Sequence, residues 1–423
     1  MKRRAARGAV AVLPLLVLLA QASAVASLTP QTRPPPTPVP PNGSPSPFLS
    51  ALSTPRDPIP APRVEASAAV LVDLGAGQVL FRRAPDQARP VASLTKLMTA
   101  LLVLEKEKGR LDRTLRVHPD AVFDRNDYGV GSTLGLRAGE PVSVRDLLAG
   151  LLLGSANDAA EALAIDGSGS VSAFVKRMNA RAKALGMSRT RFASPHGLDD
   201  RGRSSAADLV LLLRAALRDA TFRDLVGRRL VVVRSGSARP RKIQNRNVML
   251  WLYPGATGVK TGFTAGSGFC LIATARRGDR ELAAVVLGGR DEVFSDAAAL
   301  FNHGFAAYER RTLVEEGEPL GSVRVRGGHV PIVAGAGLDA LVWIEASGAT
   351  ERFLKTSPAA AYPPPAGSVL GTLRLTASGD TLGRVPIVAA DLGVPEEPAG
   401  PWWGRAAEAV SGAVTAVVTG LLD

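Results

Sequence analysis

The chain has 423 residues, 46% of them hydrophobic, enough for two packed domains with unstructured ends, and this excludes a wholly disordered protein. Its 51 Lys and Arg exceed its 38 Asp and Glu, a net charge of +13. That charge suits nucleic acid, an anionic membrane, a polyanionic wall polymer or simply an arginine-rich solvated surface, but no basic stripe with interleaved aromatics, zinc knuckle or helix-turn-helix spacing is present, which disfavours nucleic acid.

Residues 1–26 read as a secretory signal. Lys2, Arg3, Arg4 and Arg7 lead into the apolar run Gly8 to Ala20, and Ala22-Ser23-Ala24 and Ala24-Val25-Ala26 both fit a cleavage site. The run is shorter than the roughly 20 apolar residues of a membrane span. An uncleaved N-terminal anchor is the alternative. Residues 27–63 follow as a linker; the 13 prolines between Leu28 and Arg63 predict an extended, polyproline-like tether.

A compact domain is predicted over 64–309. It opens with strand-like segments at Ala66 to Asp73 and Gln78 to Arg82, separated by Gly75-Ala76-Gly77. After Ser93 the residues Leu94, Leu97, Met98, Leu101 and Leu102 fall on one helix face. Further helical patterns cover Val144 to Leu153, Asp158 to Ile165, Val171 to Leu185 and Ser204 to Leu217. Strands return at Thr257 to Gly262, Ser267 to Ala275 and Glu281 to Gly288, before a last helix from Asp291 to Tyr308. Strands at both ends of a helical block predict one mixed sheet whose edges are far apart in sequence. The single cysteine, Cys270, can form no internal disulfide and reads as a small buried hydrophobe in its strand.

Short alternating runs broken by Gly and Pro, such as Ala340 to Ile344 and Thr372 to Leu375, predict a small all-β domain over 310–395. It has no cluster of His, Cys or carboxylates. The stretch 401–423 places Trp402 and Trp403 before an amphipathic helical pattern. Gly404, Glu408, Ser411, Thr415 and Thr419 lie on one stripe, and Val410, Val414, Val417, Val418 and Leu421 on the other. Two readings stand: a helix lying in a membrane interface, or one docked on the protein's own surface.

Three short motifs carry chemistry. Ser93-Leu94-Thr95-Lys96 opens a helix, where a spacing of three brings the amine toward the hydroxyl, and a nearby base is what a serine nucleophile needs. A lysine serves as that base when burial or a second cation lowers its pKa. Ser155-Ala156-Asn157 lies on a turn between helices, where a hydroxyl and an amide can face one cleft. Lys260-Thr261-Gly262 lies on a strand, where a cation and a hydroxyl can take a carboxylate and a glycine admits substrate to the strand edge. Each motif alone is weak: an N-cap serine with a solvated lysine explains the first better, and a capping turn the second.

In this order the three motifs match the signatures of penicillin-binding proteins and serine β-lactamases. The chain resembles in particular the low-molecular-mass D-alanyl-D-alanine carboxypeptidases, over about Val64 to Val394. Ser194 to Asp199, Gly266 to Cys270 and Val286 to Gly289 extend the likeness. The resemblance implies an α+β fold of the penicillin-binding-protein and serine β-lactamase type, with a mixed antiparallel sheet, a helical cluster and a small C-terminal all-β domain. It implies that Ser93 is acylated, that Lys96 is its general base, and that Ser155 passes the proton to the leaving D-alanine. Asn157 would hold the substrate amide, Lys260 and Thr261 would meet the terminal carboxylate, and the backbone N–H groups of Ser93 and Phe263 would form the oxyanion hole. Stem peptides ending in D-Ala-D-Ala are the implied substrates and β-lactam antibiotics the implied inhibitors. The signal segment predicts a location outside the cytoplasm, in the cell envelope, and the amphipathic C-terminal pattern predicts peripheral contact with the membrane surface. No metal or organic cofactor is implied, and His196 is expected to be structural.

Two departures stand out: Arg203-Ser204-Ser205-Ala206 where the family commonly has a His or Tyr before Ser-Thr-Ala, and Val293-Phe294-Ser295 where an arginine is common. Rival readings remain. An efficient β-lactamase needs a glutamate between the second and third motifs, and the one glutamate there, Glu161, stands only four residues past Asn157. An endopeptidase would use the same residues. A catalytically dead wall-binding module would have lost one of them.

Overall fold

The computed structural model describes residues 61–123, 131–234, 240–290, 293–325, 327–344, 350–356, 364–377 and 380–391. The expected signal segment, nearly all of the proline-rich linker, the start of the last helix at Asp291 and the C-terminal helix 401–423 lie outside them. The chain divides into two compact units, one ending at Tyr308 and one beginning at Glu309.

The first unit opens with a hairpin of β1 (Ala68–Asp73) and β2 (Val79–Arg83). The expected strand from Ala66 is shorter because a side chain takes its first donors. The buried Asp296 carboxylate accepts the N–H groups of Glu65 and Ala66, each at 2.9 Å. The helix α1 (Lys96–Glu107) follows, then the small pair β3 (Thr114–Arg116) and β4 (Pro141–Ser143). Next come α2 (Val144–Leu152), α3 (Asn157–Ser168), α4 (Val171–Ala184) and α5 (Ala206–Ala216). Hydroxyls cap three of these: Ser143, Ser170 and Ser205 each accept an N–H of the first turn. Ser204, read from sequence as the start of α5, instead pairs its backbone with Arg89.

Sequence periodicity gave no sign of α6 (Ala220–Gly227), capped by Asp219, or of the hairpin β5 (Leu230–Val233) and β6 (Arg241–Gln244). A one-turn helix α7 (Met249–Leu252) leads to β7 (Ala256–Thr264), β8 (Gly268–Arg277) and β9 (Arg280–Gly289), and α8 (Val293–Ala307) ends the unit. The main sheet is antiparallel in the order β2-β1-β9-β8-β7, so its first strand pairs with its last and β7 forms an edge. All six residues of β1 are buried, as are Cys270–Ala275 of β8, because α5 and α8 both pack on the sheet. The expected sheet with edges far apart in sequence and the helical cluster are therefore present, but the sheet is wholly antiparallel rather than mixed, because each neighbouring pair runs in opposite directions.

The second unit is all β. Its main sheet runs β11 (Pro319–Val325), β12 (Gly328–Ala334), β16 (Asp380–Ala389), β15 (Val369–Ala377), β14 (Thr350–Thr356). The strands β10 (Tyr308–Val314) and β13 (Leu338–Trp343) form a separate pair. Val330, Ile332, Leu373, Leu375 and Ile387 fill its core.

Candidate active site

A single turn sets the first motif in place. Ala92 adopts a left-handed φ of 47°, and the 3₁₀ turn Ala92–Thr95 then runs straight into α1. Leu94 and Leu97 are fully buried and pin this junction to the core. Ser93 is left on the wall of a cleft, with Lys96 behind it.

Lys96 is completely buried. Its Nζ lies 2.9 Å from Ser93 Oγ, 2.6 Å from Asn157 Oδ1 and 2.8 Å from the carbonyl oxygen of His196. Two of these partners can only accept, while the third carries a proton it can give up. An ammonium would donate to all three, whereas a neutral amine would donate to the two acceptors and turn its lone pair to the hydroxyl. Burial pulls the Lys96 pKa well below its ordinary value; the charges of Lys260 and Arg246 pull the same way, and Asp158 opposes them.

The second motif is drawn in by α3. Ser155 sits in a left-handed turn, φ 62°, and lines the cleft with Asn157. The Asn157 N–H donates to the Ser132 carbonyl at 2.7 Å, and the buried Asp158 carboxylate accepts the N–H groups of Leu134 and Leu136. Those bonds hold the segment carrying Ser132, another lining residue, against the start of α3.

The third motif lies on the edge strand β7. Lys260 is buried, its Nζ donating to the Thr261 carbonyl at 2.9 Å, and burial and then the charge of Arg246 pull its pKa well down. Thr261, Gly262 and Phe263 line the cleft. A Cβ at Gly262 would meet the Ser93 nitrogen at 3.0 Å and the Val91 carbonyl at 3.1 Å, so the absence of a side chain lets β7 lie against the nucleophile turn. The Phe263 ring stacks on Phe269 with centroids 4.5 Å apart. Five of the seven residues expected from sequence, Ser93, Ser155, Asn157, Thr261 and Phe263, thus line one cleft, with Lys96 buried behind Ser93 and Lys260 buried in β7.

Sequence reasoning passed over Arg246, which lines the same cleft. Two buried asparagines frame it. Asn245 Nδ2 donates to the carbonyls of Val226 and Arg228, and Asn247 Oδ1 accepts the Met249 N–H. The Arg246 N–H reaches the Leu153 carbonyl at 3.2 Å and so ties this stretch to the turn before Ser155. The signal available was the Asn-Arg-Asn triplet. His196 enters through its carbonyl, in a loop where Gly197 has φ 72° and a Cβ there would lie 2.0 Å from the Ala92 carbonyl oxygen. Cys270 is buried as expected, its thiol pushed up to about 11 by burial. The departing residues Val293 and Phe294 line the cleft as apolar wall.

The sequence profile of the peptidase S11 D-alanyl-D-alanine carboxypeptidases matches residues 55–291. The D-alanyl-D-alanine carboxypeptidase DacF of Bacillus subtilis is 30% identical over 77% of this chain and 85% of its own length. DacC of Escherichia coli is 33% identical over 79% of this chain and 85% of its own. Penicillin-binding protein 5 from Haemophilus influenzae superposes with a TM-score of 0.64 at 27% identity, covering 79% of this chain and 99% of that one. The chain belongs to the D-alanyl-D-alanine carboxypeptidase family: it is a serine peptidase of peptidoglycan maturation.

Gly197→Ala should displace the Ala92–Ser93 turn. We expect a stability loss of at least roughly 1 kcal/mol, read by urea unfolding, together with slower acylation by fluorescent penicillin. Unfolding and acylation both at the parent values would show that the loop yields freely.

Proposed function

We propose that Ser93 is the acylated nucleophile and Lys96 its general base in the release of terminal D-alanine from stem pentapeptides. The observation that carries this reading is the buried Lys96 amine, held by two acceptors and facing one hydroxyl. Ser93 Oγ attacks the penultimate carbonyl carbon while its proton moves to Lys96 Nζ. The N–H groups of Ser93 and Phe263 receive the developing oxyanion. The C–N bond then breaks, and Ser155 hands its proton to the departing amine while taking in its place the one that Lys96 received from Ser93. Water hydrolyses the ester and frees Ser93. Asn157 holds the substrate amide as well as Lys96. Thr261, Lys260 and Arg246 form the basic end of the cleft and take the terminal carboxylate. Glu161 is not among the residues lining the cleft, which disfavours efficient β-lactamase turnover.

The enzyme works outside the cytoplasm. The basic and apolar start of the sequence supports export, and the valine stripe behind Trp402 and Trp403 supports peripheral attachment to the membrane surface. Among the described residues no helix is long and apolar enough to cross a membrane.

Four measurements test these assignments. Peptide mapping after penicillin treatment should place the adduct on Ser93, and Lys96→Arg, which keeps charge but cannot readily lose its proton, should slow acylation at least roughly 10²-fold. An adduct elsewhere, or near-normal acylation by the Lys96→Arg enzyme, would exclude the mechanism. Arg246→Gln removes a cation that lowers the Lys96 pKa, so the amine holds its proton to higher pH and the acid limb of the acylation profile should move upward. An unmoved or falling limb would dissociate Arg246 from the base. A chain ending near Val394 should keep full activity on soluble peptides yet no longer sediment with membranes. Continued sedimentation after verified signal cleavage would assign attachment to another element.

A further inference from the structure

One polar pair outside the cleft, the buried His196 and the half-buried Glu161, is tied to the reactive amine through the His196 carbonyl. Glu161 Oε1, on α3, lies 3.3 Å from His196 Nε2, with the two side chains only 18% and 10% exposed. The other ring nitrogen, Nδ1, accepts the Leu198 N–H at 3.0 Å. A nitrogen that accepts carries no proton, so the neutral ring holds its proton on Nε2, facing Glu161. The carbonyl of this same His196 is the one that takes Lys96 Nζ at 2.8 Å. The neighbouring residues are fixed too: Thr99 Oγ1 donates to the Pro195 carbonyl at 2.6 Å and the Gly197 N–H to Ser194 Oγ at 2.9 Å. Phe123 covers the imidazole edge-on. With the backbone pinned on either side, the ring's orientation and the carbonyl's direction are set together.

We propose that Glu161 is a positioning residue for acyl transfer: by fixing the His196 ring it fixes the carbonyl that aims the Lys96 amine at Ser93. This rests on the reading of Lys96 as the base. It differs from a glutamate acting on water, because Glu161 reaches the reaction only through His196. The charged groups facing the ring are Glu161 on α3, Lys96 on α1 and Asp199 on its own loop. Burial pushes the imidazole below its ordinary range and Lys96 adds to that, while Glu161 and Asp199 oppose both. Loss of the Glu161 charge should therefore lower the titration of His196 further.

The chain has four histidines, so their ring nitrogens are separable by ¹⁵N NMR. The full-length enzyme should show His196 as the neutral Nε2–H tautomer. In Glu161→Gln the His196 midpoint should move to lower pH, while penicillin acylation stays within a few-fold because the amide oxygen still accepts the Nε2 proton. In Glu161→Leu acylation should slow about 10-fold or more, with kcat on a D-Ala-D-Ala pentapeptide falling and KM holding. A neutral Nδ1–H tautomer, a Glu161→Leu enzyme acylating at the parent rate, or equal losses in both variants would overturn the proposal. If the Glu161→Leu enzyme does not fold, as judged by thermal melting, the tautomer and the Glu161→Gln titration decide. Normal acylation by Lys96→Arg alongside an intact Nε2–H signature would instead remove the base reading on which the proposal stands.

Discussion

The site depends on a lysine kept out of water. Taking an ammonium from water into a protein interior costs on the order of several kcal/mol unless it is paired or loses its proton. Lys96 is fully buried and Lys260 nearly so, with Arg246 adding charge to the same region. The fold answers with oxygen acceptors, the Asn157 amide and the His196 carbonyl for Lys96 and the Thr261 carbonyl for Lys260. What lowers the stability of an ammonium there is also what makes the free amine accessible near neutral pH.

Holding that arrangement takes backbone that most residues avoid. Ala92 and Ser155 both adopt left-handed φ, a conformation that costs of order 1 kcal/mol or more for a residue with a side chain. One turns the chain into Ser93 and the other turns it into Asn157. Each is clamped from outside, Ala92 by the close approach of Gly197 and Gly262, and the Ser155 turn by the bond from Arg246 to Leu153. The five-stranded sheet supplies the stiffness: β1 and β8 bury side chains on both faces, so the edge strand β7 rests on a core with little freedom.

The residues that were legible in sequence are those whose partners lie close along the chain. Ser93 and Lys96 are one helical turn apart, Ser155 and Asn157 share a turn, and Lys260 and Thr261 are neighbours on a strand. The amphipathic helices showed themselves by period, and their ends moved only where a side chain took over a backbone donor, as Asp296 does before β1. Arg246 was not legible, because its place depends on a hairpin without a clear period-two pattern and on Asn245, which bonds to the distant carbonyls of Val226 and Arg228. Glu161 was legible only as a glutamate in the wrong place for a β-lactamase. Its partner His196 lies 35 residues on, and nothing local links them. His196 itself works through a carbonyl, which every residue has, so no sequence pattern could mark it.

Arg246 joins substrate recognition to the chemistry. Its charge helps hold the Lys96 pKa down, and on the proposed roles the same guanidinium meets the terminal carboxylate of the peptide. A carboxylate arriving there offsets part of the field of Arg246 and Lys260 at Lys96. On those roles the Lys96 amine would then become a better proton acceptor as Ser93 attacks. A peptide without a free carboxylate at that position would leave the cationic field in place and the base weaker. One basic cluster would thus favour peptides that present a free carboxylate beside the scissile bond, through the energetics of the proton as well as through contact.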